Sequence, residues 1–474
     1  MSRYIIFTLI VVFVSCKQSS SPPTSTEESY VYQPITDEMM ESAVIYEANI
    51  RQYSAEGTFA AFANDIPTLK ELGVKIIWVM PIHPISTVKR KATGDTFATD
   101  IADPEERKKY LGSYYSVADY KAVNPEFGTL DDFKELVQTA HDHGINVIID
   151  WVPNHTGWDH PWITDHPEWY TQNQQGEIID PIDPHTGESW GWTDVADLNY
   201  DNHEMRQEMI SDMKFWVEEA DIDGFRVDVA HQVPPSFFKN AIEELEGIKP
   251  LFMLAEAEQA DLFTHGFDMH YAWEGHHLLN RIAKNQSTGT DFQRYIQKQE
   301  EELQPTDFSM NFITNHDENS WAGPLNERMP INKGFFTSLI YTMPGMPLIY
   351  SGQEYDLSHR LKFFEKDQIP KDKRGYYDLL VKLGALKNQN KALHGGKNAA
   401  SYESLTSDSE LIAFRRKKDG DQVIFIGNLS GYTQHLTGLL TGNFNDYLQE
   451  EQLILDRKSN LSLGPWQYKI LVAE

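Results

Sequence analysis

Eight short β-type runs recur between Val44 and Tyr350, separated by longer stretches that mostly carry helical period. They are Val44 to Ile50, Val74 to Met80, Asn146 to Asp150, Gly224 to Asp228, Leu251 to Ala255, Gly266 to His270, Asn311 to Thr314 and Pro347 to Tyr350. Strands alternating with helices build a parallel sheet, because a parallel neighbour is reached only by a crossover long enough to hold a helix. Eight units fit a (β/α)8 TIM barrel. A doubly wound open sheet has the same periodicity, so strand counting leaves both architectures open.

The intervening segments support the alternation. In Leu130 to His143, Phe133, Leu136, Val137 and Ala140 form one apolar stripe, with Thr129 as N-cap and Gly144 as the stop. In Glu204 to Glu219, Met205, Met209, Met213 and Trp216 share a face and read as core. Residues 155–202, between the third and fourth strands, are rich in Trp, Asp, Pro and Gly with little helical period. A stretch that long without regular structure is usually functional; it is expected to form a small excursion domain over the barrel mouth. The barrel with this excursion is expected over 41–392. From residue 393 to 474 short alternating runs with turn signals, among them Asp419-Gly420-Asp421, point to a C-terminal antiparallel β-sandwich.

Charge limits the partners. The chain carries 41 Lys and Arg against 71 Asp and Glu, a formal net charge of −30. Nucleic acid and anionic lipid surfaces are bound through Lys and Arg and would be repelled, so neutral or cationic ligands remain. The single cysteine, Cys16, excludes an internal disulfide framework and any Cys-based zinc site. It closes a leader in which Arg3 precedes an apolar run, Tyr4 to Val14, too short to span a bilayer. Residues 1–15 thus read as a signal peptide and 16–40 as a tether that is Ser-, Pro- and Thr-rich at its start. Phe13-Val14-Ser15-Cys16 resembles a bacterial lipobox. The expectation is export and lipid anchoring through Cys16 to a bacterial membrane, periplasmic or at the cell surface; an ordinary secretory signal is the plainer alternative.

In a barrel, reactive side chains belong at the C-terminal strand ends, where the βα loops converge. The third run ends in Asp150-Trp151-Val152-Pro153-Asn154-His155, the fourth in Arg226-Val227-Asp228, the fifth in Glu256 and the seventh in Asn315-His316-Asp317. Convergent carboxylates are what glycosidic cleavage requires: one attacks or stabilises an oxocarbenium-like centre while another donates a proton to the leaving oxygen. Burial among other acids can separate their pKa values and so their roles. Arg226 and Asp228 stand two apart on a strand and share a face, so the guanidinium can hold Asp228 ionised. Taken singly, each motif has an ordinary reading as an ion pair, a turn or a surface dipeptide. Their joint occurrence at four strand ends does not.

These residues resemble the signatures of the α-amylase family of glycoside hydrolases, family thirteen. Asp150 to His155, Gly224 to Asp228, Glu256, and Phe312 to Asp317 match its four signatures, and the likeness extends to Gly73–Pro81 and Gly345–Glu354. The resemblance implies Asp228 as nucleophile, Glu256 as general acid and base, and Asp317 as transition-state stabiliser. It further implies that His155 and His316 bond hydroxyls of the same sugar, that Arg226 orients Asp228, and that Tyr115 stacks on the reacting ring. His231 either contacts the sugar on the leaving-group side or caps a helix. Trp151, Trp158, Trp162, Trp169, Trp190 and Trp192, in or beside the excursion, are pyranose platforms or its own small core. Family members often hold calcium near the position of Asn154, but Ala196-Asp197-Leu198-Asn199 has Asn where a second acid often stands; no metal ligand is assigned and no cofactor is required. The implied activity is retaining hydrolysis of α-1,4-glucosidic bonds in starch or maltodextrin through a glycosyl-aspartate. A transglycosylase or isomerase of the same superfamily, and a catalytically silent glycan-binding lipoprotein, are the alternatives.

Overall fold

The computed structural model describes residues 34–94, 96–372 and 375–473. The leader and Cys16 lie outside the described residues. Eight parallel strands close into a barrel: β1 (Ile45–Ala48), β2 (Ile76–Val79), β3 (Asn146–Trp151), β4 (Gly224–Val227), β5 (Phe252–Ala255), β6 (Met269–Tyr271), β7 (Phe308–Asn311) and β8 (Met346–Tyr350). β1 pairs with both β2 and β8, so the sheet has no free edge and the open alternative is excluded.

Alternation along the strands divides two cores. Ile45, Trp78, Ile148, Leu254, Met269, Met310 and Leu348 fill the barrel interior. Val44, Tyr46, Ile77, Ile149, Phe225 and Met253 face the surrounding helices. Both faces are buried, which is why these strands read as nearly continuous apolar runs. Gly224 opens β4 with φ 147°, and a β-carbon there would lie 1.9 Å from the Phe252 carbonyl oxygen, so only glycine lets β4 and β5 approach.

The seventh strand corrects the sequence reading. It runs Phe308–Asn311, three residues earlier than expected, because Phe308 and Met310 carry the inward alternation that pairs with Met269, Tyr271 and Met346. Ile313 and Thr314 lie beyond the strand, on the way to the loop.

The helix Leu130–Asp142 starts at a reciprocal cap: Thr129 Oγ1 accepts from Asp132 N, and Asp132 Oδ2 accepts from Thr129 N. In the helix His203–Ala220, Met205, Met209, Met213 and Trp216 are all buried. The stretch after β3 forms an antiparallel ribbon of His155–Gly157 with Val195–Asp197, beside which Trp162 and Trp169 pack edge to face at 5.0 Å. At the C-terminus six strands form one antiparallel sheet and a two-stranded ribbon, Gln434–Thr437 with Asn460–Leu463, covers one face. The other face packs on the barrel helix Lys333–Thr342. Among the described residues no helix is long and apolar enough to cross a membrane.

Candidate active site

The inward alternation that fills the barrel with apolar side chains continues upward into polar ones. Glu47 on β1, Asp150 on β3 and Arg226 on β4 follow Ile45, Ile148 and Gly224 on the interior face. Asp228 and Glu256 stand just past the ends of β4 and β5.

Arg226 organises this layer. It is completely buried; Nη1 donates to Asp150 Oδ1 and Asp228 Oδ1, both at 2.8 Å, Nη2 ion-pairs with Glu256 Oε2 at 2.9 Å, and Nε donates to Tyr271 Oη. Asp150 is held from its other side by Trp78 Nε1 at 3.1 Å and Tyr115 Oη at 3.2 Å. A guanidinium gripping three carboxylates keeps them in fixed rotamers. After Asp228 the chain turns through Val229, a β-branched residue held at φ 44°, and this strained turn lets Val229 N donate to Glu256 Oε2 at 2.9 Å.

The electrostatics follow from burial. Desolvation pushes Asp150 up to about 6 against the pull of Arg226. It also pushes Asp228 well above the usual carboxylate range, helped by neighbouring Glu256. Burial acts upward on Glu256 too, but Arg226 and the Val229 N–H outweigh it and bring that carboxyl below its usual range. The Glu256 and Asp228 carboxyls are close enough to share a hydrogen bond. They therefore titrate as a pair, Asp228 drawn upward and Glu256 downward. Arg226 Nη1 donates to Asp228, as the expectation that it orients this acid requires, while Glu256 accepts from Val229 N and ion-pairs with Arg226 Nη2.

His316 Nε2 lies 2.8 Å from Tyr115 Oη and 3.3 Å from Asp317 Oδ2. His155 is buried, accepts from Asn154 Nδ2 at Nδ1, and is held neutral, with burial lowering it to about 4. Asp228, Glu256, Asp317, Tyr115, His155 and His316 all line one cavity of about 470 Å³ at the barrel mouth. Tyr115, not Tyr114, faces it; Tyr114 bonds Asn49 and sits under Arg51. His231 is exposed on a short turn and lines an adjoining cleft with Trp190, Trp192 and Trp273, which shares Glu256 with the main cavity. Trp162 and Trp169 are buried core, whereas Trp190 is 44% exposed.

Some lining residues carry no sequence signature. Trp321, four residues past Asp317, donates to Asp317 Oδ1 and is 59% exposed, and it packs on Phe363 and Phe364. Lys91 and Asp194 close the opposite wall as an ion pair at 3.6 Å. Exposed aromatics near a signature were the one available signal for Trp321; Lys91 and Asp194 meet only through folding.

The Asn154 amide is engaged with His155, and among the described residues no group of three or more His, Cys, Asp or Glu converges as a metal site requires.

Known proteins share this arrangement. Residues 36–246 match the model of the α-amylase catalytic domain. The chain is 24% identical to an alpha-amylase 3 of Dictyoglomus thermophilum over 91% of this chain and 93% of that one. A solved alpha-amylase from Lactobacillus plantarum superposes with a TM-score of 0.77 at 26% identity, covering 92% of this chain and all of the other. Residues 36–246 thus carry the match to the α-amylase catalytic domain. Other relatives are transferases: an alpha-1,4-glucan:maltose-1-phosphate maltosyltransferase of Rhodospirillum rubrum is 26% identical over 82% of this chain, which spans 55% of that protein. The relatives it resembles are enzymes of a group acting on α-glucans, and in this chain the residues of the matching signatures meet at one mouth.

Proposed function

We propose that the protein is a retaining α-glucan hydrolase acting on α-1,4-linked glucose chains. The observation that carries this is the bridging of Asp228 and Glu256 by one guanidinium, close enough to share a hydrogen bond. Such closeness supports a nucleophile pair over an inverting one, whose carboxyls stand roughly 6.5–9.5 Å apart to admit a water. Cleavage requires Asp228 ionised and the proton of the pair on Glu256. A developing positive charge at the anomeric carbon favours ionised Asp228, and the leaving oxygen offers Glu256 a proton acceptor. Asp228 then attacks the anomeric carbon as its bond to the leaving oxygen breaks, and Glu256 protonates that oxygen. Water, deprotonated by Glu256, displaces Asp228 and restores both groups.

Transfer to phosphate fits the acceptor side poorly. The cleft beyond Glu256 carries Glu256 and Glu258, and among its described lining residues there is no Lys or Arg to neutralise an anion. Its tryptophans suit a neutral sugar as leaving group. The test is product analysis on soluble starch and maltotriose. Rising reducing ends, released first as the α-anomer, and a loss of at least about a thousandfold in kcat in Asp228→Asn are expected. Constant reducing ends, release of the β-anomer, or an unchanged Asp228→Asn would each sink the reading.

A further inference from the structure

The interior acid on β1 is not explained by a pair of carboxylates acting on a sugar. Glu47 is completely buried among the strand ends, one of its oxygens has no hydrogen-bond partner among the described residues, and the other lies 2.5 Å from His316 Nδ1. Ser351 Oγ donates to the Glu47 main-chain oxygen, and the His316 backbone N–H reaches the same carboxylate oxygen as the ring, Oε1, at 3.4 Å, which leaves Oε2 unmet among the described residues. A carboxylate desolvated this far, with half its acceptor capacity unused, is costly unless a cation stands against it. The imidazole is in contact and can supply that charge.

We propose that Glu47 is a positioning residue that keeps His316 as an imidazolium and fixes the orientation of its Nε2–H toward the reacting sugar. This rests on the glucan-cleaving reading of the same cavity. The pair works through geometry. With Nδ1–H committed to Glu47, Nε2 is the only nitrogen left to face Tyr115 and Asp317, and the ring cannot flip without breaking the Glu47 contact. Protonated, it donates from both nitrogens; neutral with Nδ1–H retained, its Nε2 could only accept. Donation suits a hydroxyl oxygen in the cavity, the more so where that hydroxyl itself donates to Asp317 and its oxygen becomes the better acceptor.

The charges around His316 come from every side of the mouth. Asp317 adjoins it in sequence, Glu47 lies on β1, Asp150 on β3 and Glu256 beyond β5, all anionic when ionised, while Arg226 on β4 is the opposing cation. Tyr115 and the edge-on Trp78 ring flank it, and Tyr350 on β8 stands near Glu47. Burial disfavours the charged ring, but Asp317 and Glu47 outweigh it and raise His316 to about 9. Glu47 connects onward: Glu47, His316, Tyr115, Asp150, Arg226 and Asp228 form one unbroken line of contacts from β1 to the nucleophile position.

The test uses the full chain with ¹⁵N-labelled histidine, the His316 signals being assigned by their loss in His316→Gln. Wild type should show both ring nitrogens protonated at neutral pH and lose a proton near 9. In Glu47→Gln that titration should move down by about one unit or more. On maltotriose, kcat should fall about ten- to hundredfold with a smaller change in KM, the range of a lost charge-assisted hydrogen bond, and the alkaline limb of kcat should shift the same way. Glu47→Asp, which keeps the charge, should recover part of that limb. A neutral His316 at pH 7 in wild type overturns the proposal, even should Glu47→Gln fail to fold; so does a folded Glu47→Gln with wild-type kcat and alkaline limb. A charged His316 in a wild type that cleaves no glucan would support the pair and overturn the glucan-cleaving reading instead.

Discussion

At the scale of single residues, burial sets the charge state and neighbours decide its sign. Glu354, in the turn after β8, is fully buried, accepts from Tyr46 Oη at 2.7 Å and from Gly352 N at 2.9 Å, and is pushed by desolvation from 4.5 up to about 7. The unfolded chain loses this proton near 4.5 and the native chain keeps it to about 7. The contribution to stability is therefore present below pH 4.5 and lost as pH rises to 7, on the order of 3 kcal/mol in all. Glu354→Gln should flatten that fall, read by denaturant unfolding at pH 5 and pH 7; an unchanged difference between the two would show that Glu354 is ionised in the native protein. Residues of this kind were visible in the sequence as acids near strand ends. The opposite pulls on the Asp228 and Glu256 carboxyls were not, because they depend on which charges and donors each meets in space.

At the scale of elements, the stretch after β3 supplies aromatic surface that no strand end could. Trp190 and Trp192 stack with their ring planes 22° apart, and Trp192 leans on His155, so the ribbon carries a flat wall beside Glu256. If a sugar rests there, Trp190→Ala should raise KM for maltotetraose by up to about tenfold, the worth of one aromatic contact, with kcat nearly unchanged. A fall in kcat at constant KM would mean that the indole acts on the chemistry instead. The helix caps and the methionine face of His203–Ala220 were legible because they depend on neighbours three or four residues away. The division of tryptophans between core and wall was not: Trp162, Trp169 and Trp190 stand in similar local sequence, and only packing buries the first two.

At the scale of the whole molecule, the C-terminal sheet and the barrel share a core. Phe335, on a barrel helix, meets Phe425, Trp466 and Tyr468 at 5.3, 5.8 and 5.6 Å, and Gly427 makes room for its ring, since a β-carbon there would approach Phe335 to 2.3 Å. Phe335→Ala should cost about 3–5 kcal/mol, measured by denaturant unfolding; a loss below about 1 kcal/mol would mean that the sheet contributes little to holding the barrel. The sequence by itself determined the strand and helix alternation, the acids at the strand ends and their resemblance to one enzyme family, since all of these are written in local periodicity and short motifs. Tertiary structure alone decided that the sheet closes, that β7 begins at Phe308, and that Glu47 meets His316 from the far end of the chain. Each of those depends on pairing between distant residues, and a long-range contact leaves no periodic trace in the segments that make it.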